Sequence, residues 1–280
     1  MIGVAGGALA ALLWGVSGFT AARSSRVLGA EVALAWVYLV GLCAVLPVAL
    51  TRGLPDPGAG AVGWTVVTDV AAVTSLYLMY AALRRGPVVL VMPLTAAQGG
   101  LAAIFAVVAG EHLQPLAAVG LAIVFAGMLP VMRRPRSGTG AHPTAAVVLA
   151  ALSAATAAVA LFASPRAAHS LGTPWLIATL RAAGVLAVAV PLAASGRLRL
   201  PRAATRFVVF SGLADAGAFA AYIVAASRSG VAVPAVISSQ YAAVSALLGV
   251  LALGERLTRP QLAGVVAILA GVALVTSAQA

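Results

Sequence analysis

Two short segments decide the architecture of this chain: VAGEHLQP at residues 108–115 and LALGERLTRP at residues 251–260. Each contains a Gly-Glu pair that follows a long apolar run, and the pairs begin at residues 110 and 254, which are 144 positions apart. The same offset relates six further pairs of identical residues: Pro47 and Pro191, Arg84 and Arg228, Gly86 and Gly230, Leu113 and Leu257, Gly120 and Gly264, Gly127 and Gly271. One ungapped register therefore predicts that the chain consists of two repeats.

The composition indicates that lipid is the solvent of this protein. Of its 280 residues, 62% are hydrophobic and 8% are charged, whereas about a quarter of the residues of a soluble domain are charged. The apolar runs are continuous and long enough for membrane-spanning helices of about 20 residues. Strands of a membrane barrel would alternate apolar and polar residues. We predict ten helical spans, near residues 3–22, 31–51, 62–83, 87–109, 115–132, 143–163, 174–194, 204–227, 231–253 and 260–277.

Five spans fall in each repeat, and the odd number means that the repeats enter the membrane in opposite directions. The sequence therefore predicts an all-α membrane protein of ten transmembrane helices in two inverted five-helix repeats, residues 1–136 and 137–280. Inverted repeats underlie many carriers that work by alternating access. The first apolar run shows no convincing cleavage site, so we interpret it as a retained span and not a signal peptide.

Arginines are distributed unequally between the two sides of the predicted bundle. The loops after the odd-numbered spans hold thirteen of them: Arg23, Arg26, Arg84, Arg85, Arg133, Arg134, Arg136, Arg197, Arg199, Arg202, Arg206, Arg256 and Arg259. The opposite side holds Arg52, Arg166 and Arg228. Because basic loops stay in the cytoplasm, we expect both termini outside it. The absence of Lys and Asn and the excess of Ala suggest a bacterial source, and hence the bacterial cell (inner) membrane.

The repeated segments resemble the EamA-type family of the drug/metabolite transporter superfamily. The resemblance rests on residues 250–264 with Ile268-Leu-Ala-Gly271, on a weaker copy at residues 108–115 with Gly120 and Gly127, on Leu13-Trp14-Gly15, and on the spacing from Pro174 to Arg181. It implies a central cavity lined by spans 1, 3, 4, 6, 8 and 9. It also implies export or uptake of amino acids, drugs or other metabolites, often coupled to protons. Many similar proteins are described with cytoplasmic termini, in contrast to the arginine distribution here.

Away from the span ends, three charged residues lie within predicted spans, where such groups are costly and mark functional sites by default. They are Asp69 in span 3, Arg181 in span 7 and Asp215 in span 8. Asp69 and Arg181 are predicted at similar depth, so they can pair. A buried carboxyl group that exchanges a proton suits a proton-coupled carrier; the alternative is a structural ion pair.

Helical spacing places further polar and aromatic residues on the spans expected to line the cavity. These candidate substrate-binding or coupling residues are Trp14, Ser17, Tyr77, Thr95, Gln98, Tyr222, Ser238, Gln240 and Tyr241. Their alternative roles are hydrogen bonds between helices and the aromatic belt at the membrane interface. Pro93 and Pro234 occupy the first half of spans 4 and 9 and are candidate hinges, or else static kinks. Glu111 and Glu255 are expected to cap the helix that follows each of them.

These features favour a secondary transporter, an exporter of a small metabolite, amino acid or drug-like solute, over a membrane enzyme or a channel. No HExxH, GxSxG or paired-aspartate motif is present, so we predict no enzymatic activity, cofactor or metal. His112, His142 and His169 lie in loops without ligand spacing. The net charge of +11 is scattered over loops, which argues against nucleic acid. The expected partners are a small-molecule substrate, the bilayer and protons. The glycines at 120, 127, 264 and 271 form a smooth stripe for helix packing or a dimer contact, which leaves monomer or homodimer open.

Overall fold

The structure is a computed structural model, and it describes residues 2–56, 58–86, 88–112, 114–131, 143–253 and 259–277. Within these ranges the regular structure is helical. The second Gly-Glu motif with Glu255 and Leu257, His142, and the arginines at 133, 134, 136 and 256 lie outside the described residues.

Each predicted span coincides with a helix or a run of helices, but α1 and α7 extend well past the predicted ends at residues 22 and 163. In chain order they are α1 Ile2–Leu28, α2 Ala30–Leu50, α3 Ala59–Arg85, α4 Val88–Ala96, α5 Gln98–Val108, α6 Pro115–Val131, α7 Pro143–Leu171, α8 Thr173–Gly184, α9 Val190–Ala194, α10 Arg202–Ser229, α11 Ala232–Ser238, α12 Tyr241–Leu253 and α13 Arg259–Ser277. A π-helical turn, Val185–Ala189, joins α8 to α9. Six of the described helical segments are long and apolar enough to cross a membrane: α1, α2, residues 60–85 of α3, residues 144–171 of α7, the run 173–194, and α10.

The predicted spans 4 and 9 are both interrupted. Span 4 is divided at Ala97 into α4 and α5, and span 9 is divided at Ser239 and Gln240 into α11 and α12. The interruptions therefore lie four and five residues after Pro93 and Pro234, not at the prolines themselves. Pro234 occupies the first turn of α11, where the backbone N–H groups have no partner within the helix in any case. A hinge role for either proline stays a prediction.

Helices of the first half of the chain pack against helices of the second half. Helix α1 packs along α10, and the equivalent pair under the 144-residue offset, α7 and α3, does the same. Helix α1 also contacts α11 and α12, and its counterpart α7 contacts α4 and α5. The centre of the molecule is therefore built from helices of both halves.

Helices α6 and α13 pack against each other. The four glycines of the predicted stripe, at positions 120, 127, 264 and 271, are buried within the single chain. Small residues allow two helices to approach closely in a membrane. The stripe therefore contributes to packing inside the chain.

Candidate functional site

A cavity lies among helices of both halves, and its volume including its mouth is about 670 Å³. Its walls come from α1, α3, α4, α5, α7, α8, α10 and α12. The polar and aromatic residues that line it are Trp14, Ser17, Ser75, Thr95, Gln98, Ser153, Arg181, Asp215, Phe219 and Tyr241. Seven of these ten are among the residues that we predicted from the sequence.

A buried ion pair occupies one wall of this cavity. Arg181 Nη1 lies 2.6 Å from Asp215 Oδ2, and the two residues are 1% and 7% exposed. Trp14 Nε1 donates a hydrogen bond to the other carboxyl oxygen, Oδ1, at 3.0 Å. Three helices, α1, α8 and α10, thus meet at one carboxylate. Burying two charges is costly unless further hydrogen bonds satisfy them, and the indole supplies one.

The guanidinium group of Arg181 keeps unused hydrogen-bonding capacity. Its Nε atom is buried and has no hydrogen-bond partner among the described residues. The Tyr38 ring centre lies 5.9 Å from Cζ. At Gly41, a Cβ atom would lie 3.0 Å from Cδ of the arginine, so the absence of a side chain there makes room for it. Arg181 is therefore held in place by packing and by Asp215, with a donor to spare.

Asp69 does not pair with Arg181, contrary to the possibility raised by their similar depth. Asp69 is 8% exposed and lies beside Thr179 of α8. Residues 179 and 181 point about 200° apart, because each residue of an α-helix turns about 100°. Helix α8 therefore presents Thr179 toward Asp69 and Arg181 toward Asp215. Hydropathy sets the depth of a residue, but it does not set this rotation.

Four aromatic rings cluster beside the ion pair. The Trp14 ring centre lies 6.2 Å from that of Phe219, 6.1 Å from that of Tyr222 and 6.3 Å from that of Tyr241. The Tyr241 hydroxyl donates to Thr95 Oγ1 at 2.7 Å, which links α12 to α4 across the two halves. The Tyr222 hydroxyl donates to the backbone oxygen of Leu161 at 2.9 Å, and this residue stands behind the cavity wall. The cluster gives one end of the cavity an aromatic surface next to a charge pair.

Serine pairs join the helices that cross the centre. Ser17 and Ser211 hydrogen-bond to each other's backbone oxygens at 3.2 Å each. Ser75 and Ser153 form the corresponding exchange at 2.9 Å each. Sequence reasoning missed Ser153, although it lies on the first helix of the second repeat, which was expected to line the cavity. These serines also fit the alternative reading as hydrogen bonds between helices.

Five predicted site residues do not line the cavity: Asp69 and Tyr222, described above, and Tyr77, Ser238 and Gln240. Tyr77 is 45% exposed and borders a smaller pocket with Glu31, Arg84 and Arg85. The Ser238 hydroxyl donates to Ala235 O at 3.0 Å, and Gln240 Nε2 donates to Val236 O at 3.1 Å. Backbone groups within a membrane must be satisfied internally. The side chains of Ser238 and Gln240 satisfy carbonyl groups next to the interruption of span 9.

Glu111 caps a helix, but not the next one along the chain. Its Oε2 accepts a hydrogen bond from Val231 N at 2.9 Å, and its Oε1 accepts one from Ala232 N at 3.0 Å. These donors begin α11, in the other half of the molecule. Gly230 has φ of +83°, and a Cβ there would lie 2.5 Å from Glu111 Oε1. The next helix, α6, begins with Pro115, which has no N–H to offer.

The comparisons with known proteins agree with this architecture. The profile of the EamA-like transporter family matches the chain twice, over residues 1–133 and 144–277. No curated protein matches significantly. Among solved structures, 29 chains match. One of them, described as "Crystal structure of protein", has 22% sequence identity and a TM-score of 0.79 over 98% of this chain and 96% of that chain, so it shows a shared fold. Because the two matched segments cover nearly all of its length, the chain belongs to the EamA-like transporter family, whose members are multi-pass membrane proteins.

Proposed function

We propose that this protein is a secondary carrier that exports a small metabolite, amino acid or drug-like solute by alternating access, coupled to protons. It crosses the membrane ten times, in two inverted repeats of residues 1–136 and 137–280. The six long apolar helices supply six of these spans. The α4–α5 run, α6, the α11–α12 run and α13 supply the other four. The stripe of buried glycines between α6 and α13 supports a single chain as the working unit.

The observation that carries this proposal is the Arg181–Asp215 pair in the wall of a cavity between the two halves. Charged groups inside membrane bundles mark substrate pathways and proton relays. A solute with a carboxylate group competes with Asp215 for Arg181, and a solute with an ammonium group competes with Arg181 for Asp215. A ligand shifts a conformational equilibrium only when it binds one conformation more tightly than the other. A solute that replaces Asp215 at Arg181, or Arg181 at Asp215, can bind one conformation more tightly than the other in this way.

Two residues that line the cavity support loading from the cytoplasm. Met79 and Met92 line it near the junction of α3 and α4, on the side that carries most of the loop arginines. Glu111 joins the two halves on the opposite side. By the positive-inside rule the arginine-rich side is cytoplasmic, which places the termini outside the cytoplasm. A cavity with lining residues near the arginine-rich side, and a contact between the halves on the opposite side, suits an exporter that collects its solute from the cytoplasm.

A transport screen tests the proposal. Purified protein in proteoliposomes is offered radiolabelled amino acids, metabolites and cationic drugs, with and without an imposed pH gradient. We expect saturable flux of one class that responds to the gradient and falls at least tenfold in Asp215→Asn. A matched control is Asp56→Asn, because Asp56 lies in the loop between α2 and α3. Flux that is equal in Asp215→Asn and wild-type protein contradicts the assigned site, and no flux of any class contradicts the carrier function.

A further inference from the structure

Asp69 is a second buried carboxyl group, and it does not line the cavity. Its Oδ1 atom is buried without a hydrogen-bond partner, and no ion pair involves the residue in the part of the chain that the structure describes. An ionised carboxylate in a membrane interior needs a cation or several donors to compensate for lost hydration. The groups around Asp69 therefore determine whether the protonated or the ionised carboxyl group is more stable.

Three threonine hydroxyl groups, two on the same helix as Asp69 and one beside it on α8, donate to backbone oxygens. Thr65 Oγ1 donates to Ala61 O and Thr68 Oγ1 donates to Trp64 O, both at 2.8 Å. Thr179 Oγ1, beside the carboxyl group, donates to Leu176 O at 2.9 Å. A threonine hydroxyl carries one proton and two acceptor lone pairs. In this arrangement the Thr179 hydroxyl can accept a hydrogen bond from a protonated Asp69, whereas it would have to release Leu176 O before it could donate to an ionised one.

The charged groups on the helices around α3 either contact other groups or lie in the last turn of their helix. On α7, Arg166 Nη1 donates to Phe162 O and its guanidinium lies over the Phe162 ring. On α8, Arg181 pairs with Asp215. On α2, Glu31 meets Arg197 at 3.5 Å. On α1, Arg23 lies over the rings of Phe19 and Phe207. His169 lies in the last turn of α7, and Arg26 in the last turn of α1.

Asp69 nevertheless lies close to the cavity. It shares one face of α3 with Ala72 and Leu76, which line the cavity, because residues three and seven positions apart lie on the same side of a helix. Asp69 stands one turn beyond that wall, toward the N-terminal end of α3 near Gly58. That end is on the side of the molecule where Glu111 joins the two halves.

We propose that Asp69 is a proton-binding site separate from the Arg181–Asp215 pair, and that it holds a proton in this conformation. The O–H of Asp69 donates to Thr179 Oγ1. In the alternate conformation α3 and α8 separate enough to admit water; the O–H bond then breaks, the proton passes to that water, and water donors stabilise the carboxylate. The assignment deepens the proposed proton coupling and rests on it for its role in transport.

Infrared spectroscopy of the full-length protein in lipid vesicles tests this site without any solute. At neutral pH we expect the C=O stretch of a protonated carboxylic acid, which shifts in D₂O, in wild-type protein and in Asp215→Asn. The band disappears in Asp69→Asn. It moves to higher frequency in Thr179→Val, because that variant removes the acceptor while keeping the shape of the side chain. Asp69→Glu keeps the band at a shifted frequency, which covers the case in which Asp69→Asn does not fold.

Each possible result either supports or contradicts a proton-binding site at Asp69. A band that persists unchanged in Asp69→Asn, or that is missing from wild-type protein, overturns the site. A band that is indifferent to Thr179→Val overturns the hydrogen bond on which the argument depends. Because no solute takes part, these results are independent of the transport screen. A failed screen with the expected band contradicts the carrier function, and a successful screen without the band contradicts the Asp69 site.

Discussion

Helices α3 and α10 are equivalent under the repeat, and each carries one buried aspartate. Under the 144-residue offset Asp69 corresponds to position 213, two residues before Asp215. Two residues turn a helix by about 200°, so the two carboxyl groups face different neighbours. Asp215 meets an arginine and an indole N–H, whereas Asp69 lies beside Thr179, whose hydroxyl donates to Leu176 O. A shift of two positions has given one repeat a charge pair and the other an isolated acid.

The largest effect expected from this comparison comes from breaking the charge pair. Arg181→Met and Asp215→Leu should each lower the free energy of unfolding by about 3–5 kcal/mol, because each leaves an uncompensated buried charge. The double variant should lose much less than the sum. Equilibrium unfolding in mixed micelles, arranged as a double-mutant cycle, measures the coupling. Additive losses would show that the pair does not act as a unit.

The indole hydrogen bond is expected to matter less than the pair itself. Trp14→Phe keeps an aromatic ring among Phe219, Tyr222 and Tyr241 but removes the donor to Asp215 Oδ1. Hydrogen bonds to charged groups contribute about 1.5–3 kcal/mol, so we expect a loss in that range by the same unfolding measurement. Trp64→Phe is the control, since Trp64 is partly exposed and no bond of its N–H to a charged group is described. Equal losses in both variants would mean that the ring, not the donor, carries the effect.

The smallest effect is expected at the isolated acid. Because we propose that Asp69 is protonated, Asp69→Asn replaces a neutral acid by a neutral amide of the same shape, and the free energy of unfolding should fall by less than about 1 kcal/mol, within the usual range for hydrogen-bond changes between uncharged groups. Asp215→Asn, the same substitution at the paired carboxylate, should cost several times more because it deprives Arg181 of its counter-charge. Comparable losses in the two variants would remove the distinction between the two carboxyl groups.

Much of the architecture could be predicted from the sequence because a membrane imposes simple rules. Span length, the 144-residue register and the isolated polar residues were enough to place Trp14, Thr95 and Asp215 near the cavity. The rotation of each helix about its own axis could not be predicted, because an apolar helix in lipid shows little contrast between its faces. The partner of Arg181 and the outward position of Tyr77 depended on that rotation.

Two further assignments depended on local breaks in helical structure. The side chain of Gln240 donates to a backbone carbonyl group at the interruption of span 9, whereas Gln98 lines the cavity. Both glutamines looked equivalent in the sequence, because each lies deep in the corresponding span. Only the backbone geometry at Ser239 shows which carbonyl groups need a side-chain donor. Glu111 was expected to cap a neighbour in sequence, and a contact across 120 positions cannot be read from local spacing.

The cap that Glu111 places on α11 has a consequence for how the chain is made. Residue 111 leaves the ribosome well before residues 231 and 232, and the N-terminal parts of a chain generally fold first during synthesis. Glu111 is therefore already in place when the amide groups at the start of α11 are synthesised. A second half produced alone would insert with these donors unsatisfied, so the start of α11 needs the first half of the chain to be present.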